Sequence, residues 1–177
     1  YGLLRERSVF AHCIHLDRTD RERMAATGAA MAFCPSANLF LGSGLFDLAA
    51  AKDLGVRVGL GTDVGAGTSF NQLRTLSEAY KVAQLNGQKL APLQALYLAT
   101  LAGARALHLD DKIGNFETGK EADFVVLDWQ STPMLKRRID AAQDLVEKLF
   151  ALIMLGDDRA IFATHIMGRC AHRRDPR

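Results

Sequence analysis

The sequence predicts an α/β fold in which parallel strands are joined by helices. Three short apolar runs are each followed by a loop and then by a helical pattern, and two long helical patterns come after them. Parallel strands need connections of this kind. Three strands cannot close a sheet alone, since a barrel needs about eight strands and an open doubly wound sheet about five or six. Either another chain supplies the remaining strands, or this sequence is part of a longer protein.

The composition predicts a packed core and excludes several classes of function. Hydrophobic residues make up 49% of the 177 residues and charged residues 24%, which is ordinary for a globular chain. The net charge of +2 is too balanced to favour nucleic acid. No apolar run reaches the roughly 18 residues of a membrane span, and the first residues do not resemble a signal peptide. Three cysteines without a CxxC pair favour reduced thiols and a cytoplasmic location.

The first unit is a short strand and a capped helix. Residues 8–13 form an apolar run that carries His12 at its end. Residues 19–22 have the pattern of a capping box, with Thr19 at the cap position. The helix that follows is expected to end at Gly28, because glycine commonly terminates helices.

The second unit has a longer loop between its strand and its helix. Residues 30–34 are the predicted strand, which Pro35 ends. Residues 36–44 are predicted as a loop, and a helix is expected to run from about residue 46 to residue 54.

The third unit is the one around which the candidate chemistry is organised. Residues 56–61 alternate between apolar and other residues and end in glycine, as a buried strand does. This strand delivers Asp63 at its carboxyl end, followed by a glycine-rich turn at residues 65–67. Ser69 is expected to cap the next helix.

The rest of the chain changes character after residue 109, where we predict a soft domain boundary. The part before the boundary is helical, whereas the part after it is richer in turns and short strands. The predicted elements are helices at 72–85, 92–107 and 144–155 and short strands at 123–127 and 161–166.

His12 and Asp63 are the candidate catalytic residues. Each follows a strand of the same parallel series, so both side chains are expected at the edge of the sheet where parallel-sheet enzymes gather their chemistry. Imidazole and carboxylate suit zinc ligation and proton transfer. Two ordinary alternatives stay open. Asp63 could order its own loop, and His12 could be a buried histidine bonded to a carbonyl group.

Other chemistries lack their motifs. The sequence has no phosphate loop, no dinucleotide fingerprint, no GxSxG elbow and no HxE with PCxxC zinc signature. His15 lies in the loop after the first strand and is expected to be exposed or structural. The other histidines receive no role.

Several motifs resemble the amidohydrolase superfamily of metal-dependent hydrolases. The runs AHC, CPSANL with GSG, and GLGTDV are similar to its last three barrel strands, and they lie at residues 11–13, 34–39 with 42–44, and 59–64. Further runs favour the guanine deaminase family within it. They are GTDVGAGTSF at 61–70, EAYKV at 78–82, IGNFE at 113–117, GKEAD at 119–123 and LGDDR at 155–159.

The resemblance implies a fold and a function. The fold would be a partial TIM (β/α)8 barrel, strands six to eight with their helices, over residues 1–109, and part of a small β-sandwich with a helix over residues 110–177. The function would be zinc-dependent deamination of guanine to xanthine and ammonia. The complete enzyme would be a cytoplasmic homodimer without nucleic acid or membrane partners. Asp63 would ligate zinc and shuttle a proton, and His12 would polarise the attacked centre.

The family's remaining site motifs do not occur in this sequence. Its HxH zinc pair and its HxxE motif are both missing, so the chain resembles a C-terminal portion that would be inactive alone. Two alternatives remain. The parent enzyme could act on another heterocycle, of triazine or adenosine type, or the chain could be a truncated product without catalytic function.

Overall fold

The computed structural model describes residues 1–175 and contains a parallel and an antiparallel sheet, each of three strands. The fold is therefore α/β, as the sequence predicts. The last two residues of the predicted second region lie outside the described residues. No helix within residues 1–175 is long and apolar enough to cross a membrane.

The parallel sheet is built from the three predicted strands. They are β1 (Val9–Ala11), β2 (Ala30–Phe33) and β3 (Arg57–Leu60), in the order β1-β2-β3. Ala11 pairs with Ala32, and Phe33 pairs with Leu60, so all three carboxyl ends lie at one edge of the sheet.

The first helix is capped two residues before the predicted position. Helix α1 (Arg18–Thr27) is capped by Asp17, whose carboxylate accepts a 2.8 Å hydrogen bond from the Asp20 amide. The Asp20 carboxylate accepts from the Asp17 amide in return, at 3.1 Å. The capping box predicted at Thr19 is therefore wrong in position, because a nearby aspartate caps at least as well as threonine. Gly28 ends the helix in the left-handed conformation, as predicted.

The loop predicted at residues 36–44 is largely a helix. Helix α2 (Pro35–Leu41) begins directly after β2, with Pro35 in its first turn. The prediction treated proline only as a strand breaker, yet its fixed φ also favours the first position of a helix. Helix α3 (Leu48–Asp53) then leads into β3, close to the predicted span.

The longest helix, α4 (Gln72–Leu85), has the predicted extent but a different cap. The Asn71 side chain accepts a 2.8 Å hydrogen bond from the Leu73 amide and caps the helix. Ser69 instead accepts a 3.0 Å hydrogen bond from the Asn71 amide, so it orders the residue that caps. The predicted role of Ser69 as the cap is therefore wrong by two positions.

The helix predicted at 92–107 is broken in two. Helices α5 (Pro92–Ala99) and α6 (Leu101–Ala106) meet at Thr100, whose φ of −127° and ψ of −102° are not helical. The break lets α6 pack closely against β3. A Cβ on Gly59 would lie 3.0 Å from the Gly103 Cα, so glycine is needed where the helix and the strand touch.

The antiparallel sheet lies entirely after residue 109. Its strands are β4 (Phe124–Leu127), β5 (Ile161–Ile166) and β6 (Arg169–Arg173). Strand β6 was not predicted, because its residues are polar and all exposed. Two positive φ angles, 50° at Met167 and 76° at Gly168, make the tight turn between β5 and β6.

The part of the chain after residue 109 contains two helices where one was predicted. Helix α8 (Leu145–Leu155) agrees with the prediction, whereas α7 (Pro133–Ala141) was missed. Both contribute to the same apolar core as the parallel sheet, in which Phe33 stacks on Phe46 at 4.7 Å. The core is thus shared across residue 109, and the division into two domains stays a prediction.

Candidate active site

His12 and Asp63 face each other at the carboxyl edge of the parallel sheet. His12 follows β1 directly, and Asp63 comes three residues after the last residue of β3. The Nε2 atom of His12 lies 3.5 Å from Oδ2 of Asp63. Their side chains are 42% and 37% exposed, so both are held by the fold yet open to a ligand. The structure thus brings the two predicted site residues together.

The central strand β2 fixes the backbone on both sides of the pair. The Ala32 carbonyl accepts a 3.1 Å hydrogen bond from the His12 amide, and the Phe33 carbonyl accepts one of 2.9 Å from the Gly61 amide. His12 and Asp63 then leave their strands in the left-handed region, with φ of 69° and 49°. Histidine and aspartate are among the residues that tolerate this conformation, and such backbone strain is typical of functional sites.

The turn after Asp63 is tied to main-chain atoms. The Asp63 carbonyl accepts hydrogen bonds from the Ala66 and Gly67 amides, at 3.3 Å and 2.5 Å. A Cβ on Gly67 would lie 1.8 Å from the Thr62 carbonyl oxygen, so only glycine fits there. Asp63 does order its own loop, as the ordinary alternative proposed, but through its backbone. Its carboxylate faces His12 and is available for chemistry.

Asn38 is a site residue that the sequence analysis missed. It lies on α2, is 1% exposed, and its Oδ1 accepts a 2.7 Å hydrogen bond from Nδ1 of His12. The alternative that His12 is a buried histidine bonded to a carbonyl group is therefore met only in part. The carbonyl group belongs to a side chain, and the ring is not buried. The signal in the sequence was Pro35, which favours the first turn of a helix. A helix that begins there would have placed Asn38 beside the site.

Two cysteines beside the pair are kept as thiols by their surroundings. Burial is the main cause that raises the pKa of Cys34 above its ordinary value, and the negative charge of Asp63 raises it further. Burial also raises the pKa of Cys13, with a second contribution from Cys34. Both groups are therefore neutral thiols near neutral pH.

The remaining histidines lie away from the pair or lack partners for chemistry. His15 is exposed in the loop after β1, as expected. His108 belongs to the opposite end of the sheet, where its Nε2 lies 2.6 Å from the Glu6 carbonyl oxygen and 2.8 Å from Nη1 of Arg57. His165 stacks on Phe124 in the antiparallel sheet, with ring centroids 4.4 Å apart.

The pair carries two kinds of donor atom that metal ions bind. A carboxylate oxygen and an imidazole nitrogen are groups that zinc binds. Within residues 1–175, however, no group of three or more histidine, cysteine, aspartate and glutamate side chains could hold a metal ion. A cavity of about 660 Å³ opens beside β1 and is lined by residues that include Phe10, His12 and Leu41. His12 thus lies beside an open space at an edge strand of its sheet.

Known proteins share both the sequence and this arrangement of elements. The profile of the Amidohydrolase family matches residues 1–170. The chain is 53% identical to guanine deaminase of Escherichia coli over 99% of its own length and 40% of the relative's. The solved structure of that enzyme superposes with a TM-score of 0.97, covering 99% of this chain and 41% of the other.

More distant structures have the same fold. Guanine deaminase from C. acetobutylicum, solved with bound guanine in its active site, is 29% identical, with a TM-score of 0.81 over 96% of this chain and 40% of its own. An adenosine deaminase from Xanthomonas campestris, solved with bound zinc, is 25% identical, with a TM-score of 0.82 over 96% and 38%. This chain therefore spans about 40% of the length of the curated relative it matches.

Proposed function

The chain belongs to the Amidohydrolase family, and on that premise we propose that it is the C-terminal portion of an enzyme that deaminates guanine to xanthine and ammonia. The observation that carries this proposal is the 3.5 Å approach of His12 to Asp63 at the carboxyl edge of a parallel sheet. The 53% identity to a guanine deaminase over nearly the whole chain supports guanine as the substrate.

The fold of the complete protein is part of the proposal. Residues 1–109 would supply the last three strands of a (β/α)8 barrel, and residues 110–177 a segment of a small β-sandwich. The three parallel strands and their helical connections support the first assignment. The antiparallel sheet of β4, β5 and β6 supports the second.

Zinc is the proposed cofactor, and Asp63 its ligand in this chain. A catalytic zinc site needs about three protein ligands. Asp63 provides one carboxylate, so the others would come from barrel strands outside this sequence. When bound, zinc supplies a water molecule activated for attack at neutral pH.

His12 and Asp63 have distinct roles in the proposed reaction. Water attacks the ring carbon that bears the amino group, and Oδ2 of Asp63 takes a proton from that water. The proton is then delivered to the departing amino group, which leaves as ammonia. His12 stabilises the negative charge that develops on the ring in its doubly protonated form, in which Nε2 donates toward the same space as the Asp63 carboxylate.

Cellular context follows from the same proposal. The three cysteines are free, which supports a reducing compartment such as the cytoplasm. We propose a homodimer of the complete enzyme, with a small molecule as its substrate rather than nucleic acid or membrane.

Another heterocycle is the competing substrate. An adenosine deaminase is 25% identical to this chain and a triazine hydrolase variant 26% identical, with TM-scores of 0.82 and 0.75. Both sequence identities lie well below the 53% identity to the guanine enzyme. These proteins have a fold similar to that of this chain, and a similar fold does not require a shared substrate.

A chimera tests the proposal directly. The chain would replace the matching C-terminal 40% of the E. coli guanine deaminase. We expect the zinc-loaded chimera to release ammonia and xanthine from guanine, and to act much more slowly on adenosine and a triazine. A folded, zinc-loaded chimera that prefers adenosine or the triazine would contradict the assignment of guanine.

A further inference from the structure

Asn38 is a buried polar residue attached to the candidate site by a single side-chain contact. It is 1% exposed and lies in α2, beside the buried Ser36 and Ala37. Its backbone is fixed by two hydrogen bonds, because its amide donates to the Cys34 carbonyl at 3.0 Å and its carbonyl accepts from the Ser43 amide at 2.9 Å. The side chain is thus held by a rigid element.

The contact between Asn38 and His12 selects one form of the imidazole ring. A carbonyl oxygen only accepts hydrogen bonds, so Oδ1 of Asn38, 2.7 Å from Nδ1 of His12, requires the proton on Nδ1. In neutral histidine the other nitrogen then carries the lone pair. That nitrogen, Nε2, is the one 3.5 Å from Asp63.

The other half of the Asn38 amide shows that the contact is more than core packing. Nδ2 of Asn38 is buried and has no hydrogen-bond partner within residues 1–175. A buried amide nitrogen without a partner is destabilising. An apolar side chain would avoid this cost if packing were the only requirement. In Asn38 the atom that faces His12, Oδ1, is the one that has a hydrogen-bond partner.

The exposure of His12 makes such a support necessary. Its side chain is 42% exposed, and its backbone is left-handed, so neither close packing nor a regular strand fixes the ring. Functional side chains are held in place by hydrogen bonds from surrounding residues that are themselves rigid.

We propose that Asn38 is a positioning residue that holds His12 with Nδ1 protonated and Nε2 directed toward the space shared with Asp63. Asn38 acts through His12 and does not touch the substrate. The proposal rests on the proposed function only for its effect on turnover, since the tautomer of His12 is a property of this chain.

Three variants in the chimera separate positioning from packing. Asn38→Leu keeps the branched shape but removes the acceptor. Asn38→Asp keeps an acceptor, and Ser36→Ala alters a neighbouring buried residue on α2 as a control. We expect Asn38→Leu to lower kcat by about 10–100-fold, as loss of such a supporting hydrogen bond does, while KM changes little. Asn38→Asp should recover most of kcat, and Ser36→Ala should stay near the parent.

Two kinetic outcomes would overturn the proposal. One is an Asn38→Leu variant with the parent kcat. The other is an Asn38→Asp variant as impaired as Asn38→Leu, because the acceptor would then not be the feature that matters.

The tautomer of His12 tests the proposal without any turnover. Long-range ¹H–¹⁵N correlation spectra of the chain at alkaline pH distinguish a protonated ring nitrogen from one with a lone pair. We expect a protonated Nδ1 in the parent chain, and a mixture of tautomers in Asn38→Leu. A His12 ring protonated on Nε2 alone would overturn the proposal. If the chimera fails to deaminate guanine while Nδ1 is protonated, the proposed function falls and the positioning role of Asn38 stands.

Discussion

The Nε2 atom of His12 lies 3.5 Å from Oδ2 of Asp63, although the two residues follow strands that are not neighbours. Strand β2 lies between them, and its carbonyl groups anchor the backbone on both sides. The contact therefore depends on the parallel arrangement of all three strands. A carboxylate and an imidazole brought together in this way are suited to move a proton at the carboxyl edge of a parallel sheet.

Asp63→Asn in the chimera should abolish most turnover and leave the fold intact. The amide is nearly isosteric with the carboxylate, but it is a poorer zinc ligand and cannot accept the proton. Loss of general-base function lowers kcat by about 10²–10⁴-fold. Xanthine formation and the circular dichroism spectrum of the variant check this, with Asp53→Asn, remote at the end of α3, as the matched control. Near-parental turnover by Asp63→Asn would refute its role.

Gly67→Ala should reduce turnover by displacing the turn that carries Asp63. The new Cβ would lie 1.8 Å from the Thr62 carbonyl oxygen, so the backbone must move. Gly55→Ala is the matched control, because Gly55 has a φ of +73° and open space around it. That control should lose about 1–2 kcal/mol of stability from backbone strain and keep its kcat. Equal kcat values for the two variants would show that the turn does not position Asp63.

The cysteines should differ in their rate of alkylation. Burial raises the pKa of Cys34 and of Cys13, so less reactive thiolate is present at a given pH. Cys170 is exposed. Timed labelling with iodoacetamide at neutral pH, followed by peptide mass spectrometry, should modify Cys170 first and Cys34 last. Rapid labelling of Cys34 in the folded chain would contradict its thiol state.

Asp157 should make the stability of the chain depend on pH. Its carboxylate accepts hydrogen bonds from the Arg159 guanidinium at 2.6–3.1 Å, and this contact lowers the pKa of Asp157 below its ordinary value. A lowered carboxyl pKa stabilises the folded state above the ordinary value of about 4, and the stabilisation is lost as the pH falls through the lowered pKa.

Asp157→Asn should therefore destabilise the chain at neutral pH and have less effect in acid. We expect the free energy of unfolding, measured with urea, to fall by about 1 kcal/mol at neutral pH. The loss is small because Arg159 is largely exposed. The difference from the parent should shrink below about pH 4. Asp158→Asn, at the exposed neighbouring residue, is the control. A difference that does not change with pH would show that the ion pair is not its source.

The local patterns of the sequence predicted the parallel strands well because those patterns are strong. Alternating apolar residues, bounded by glycine, mark β3, and Gly28 marks the end of α1. Caps were less certain, because Asp17 and Asn71 compete with Thr19 and Ser69 for the same task. Such competition is settled by the geometry of the neighbouring loop, which local preference does not contain.

The features that were missed depend on tertiary contacts. Helices α5 and α6 are separated at Thr100 so that α6 can reach β3, and an unbroken apolar periodicity concealed that break. Strand β6 is polar and exposed, so only its pairing with β5 identifies it. At the site, motifs and resemblance indicated His12 and Asp63. Asn38 became visible only when α2 was in place.

The most direct test of the proposed site compares the isolated chain with the chimera. Zinc per chain after dialysis and xanthine formation from guanine would be measured on both under the same conditions. We expect the chimera to hold about one zinc ion per chain and to form xanthine, because its additional strands supply about two further ligands. We expect residues 1–177 alone to hold no stoichiometric zinc and to form no xanthine. Stoichiometric zinc and deamination by the isolated chain would contradict a site that is shared with strands outside this sequence.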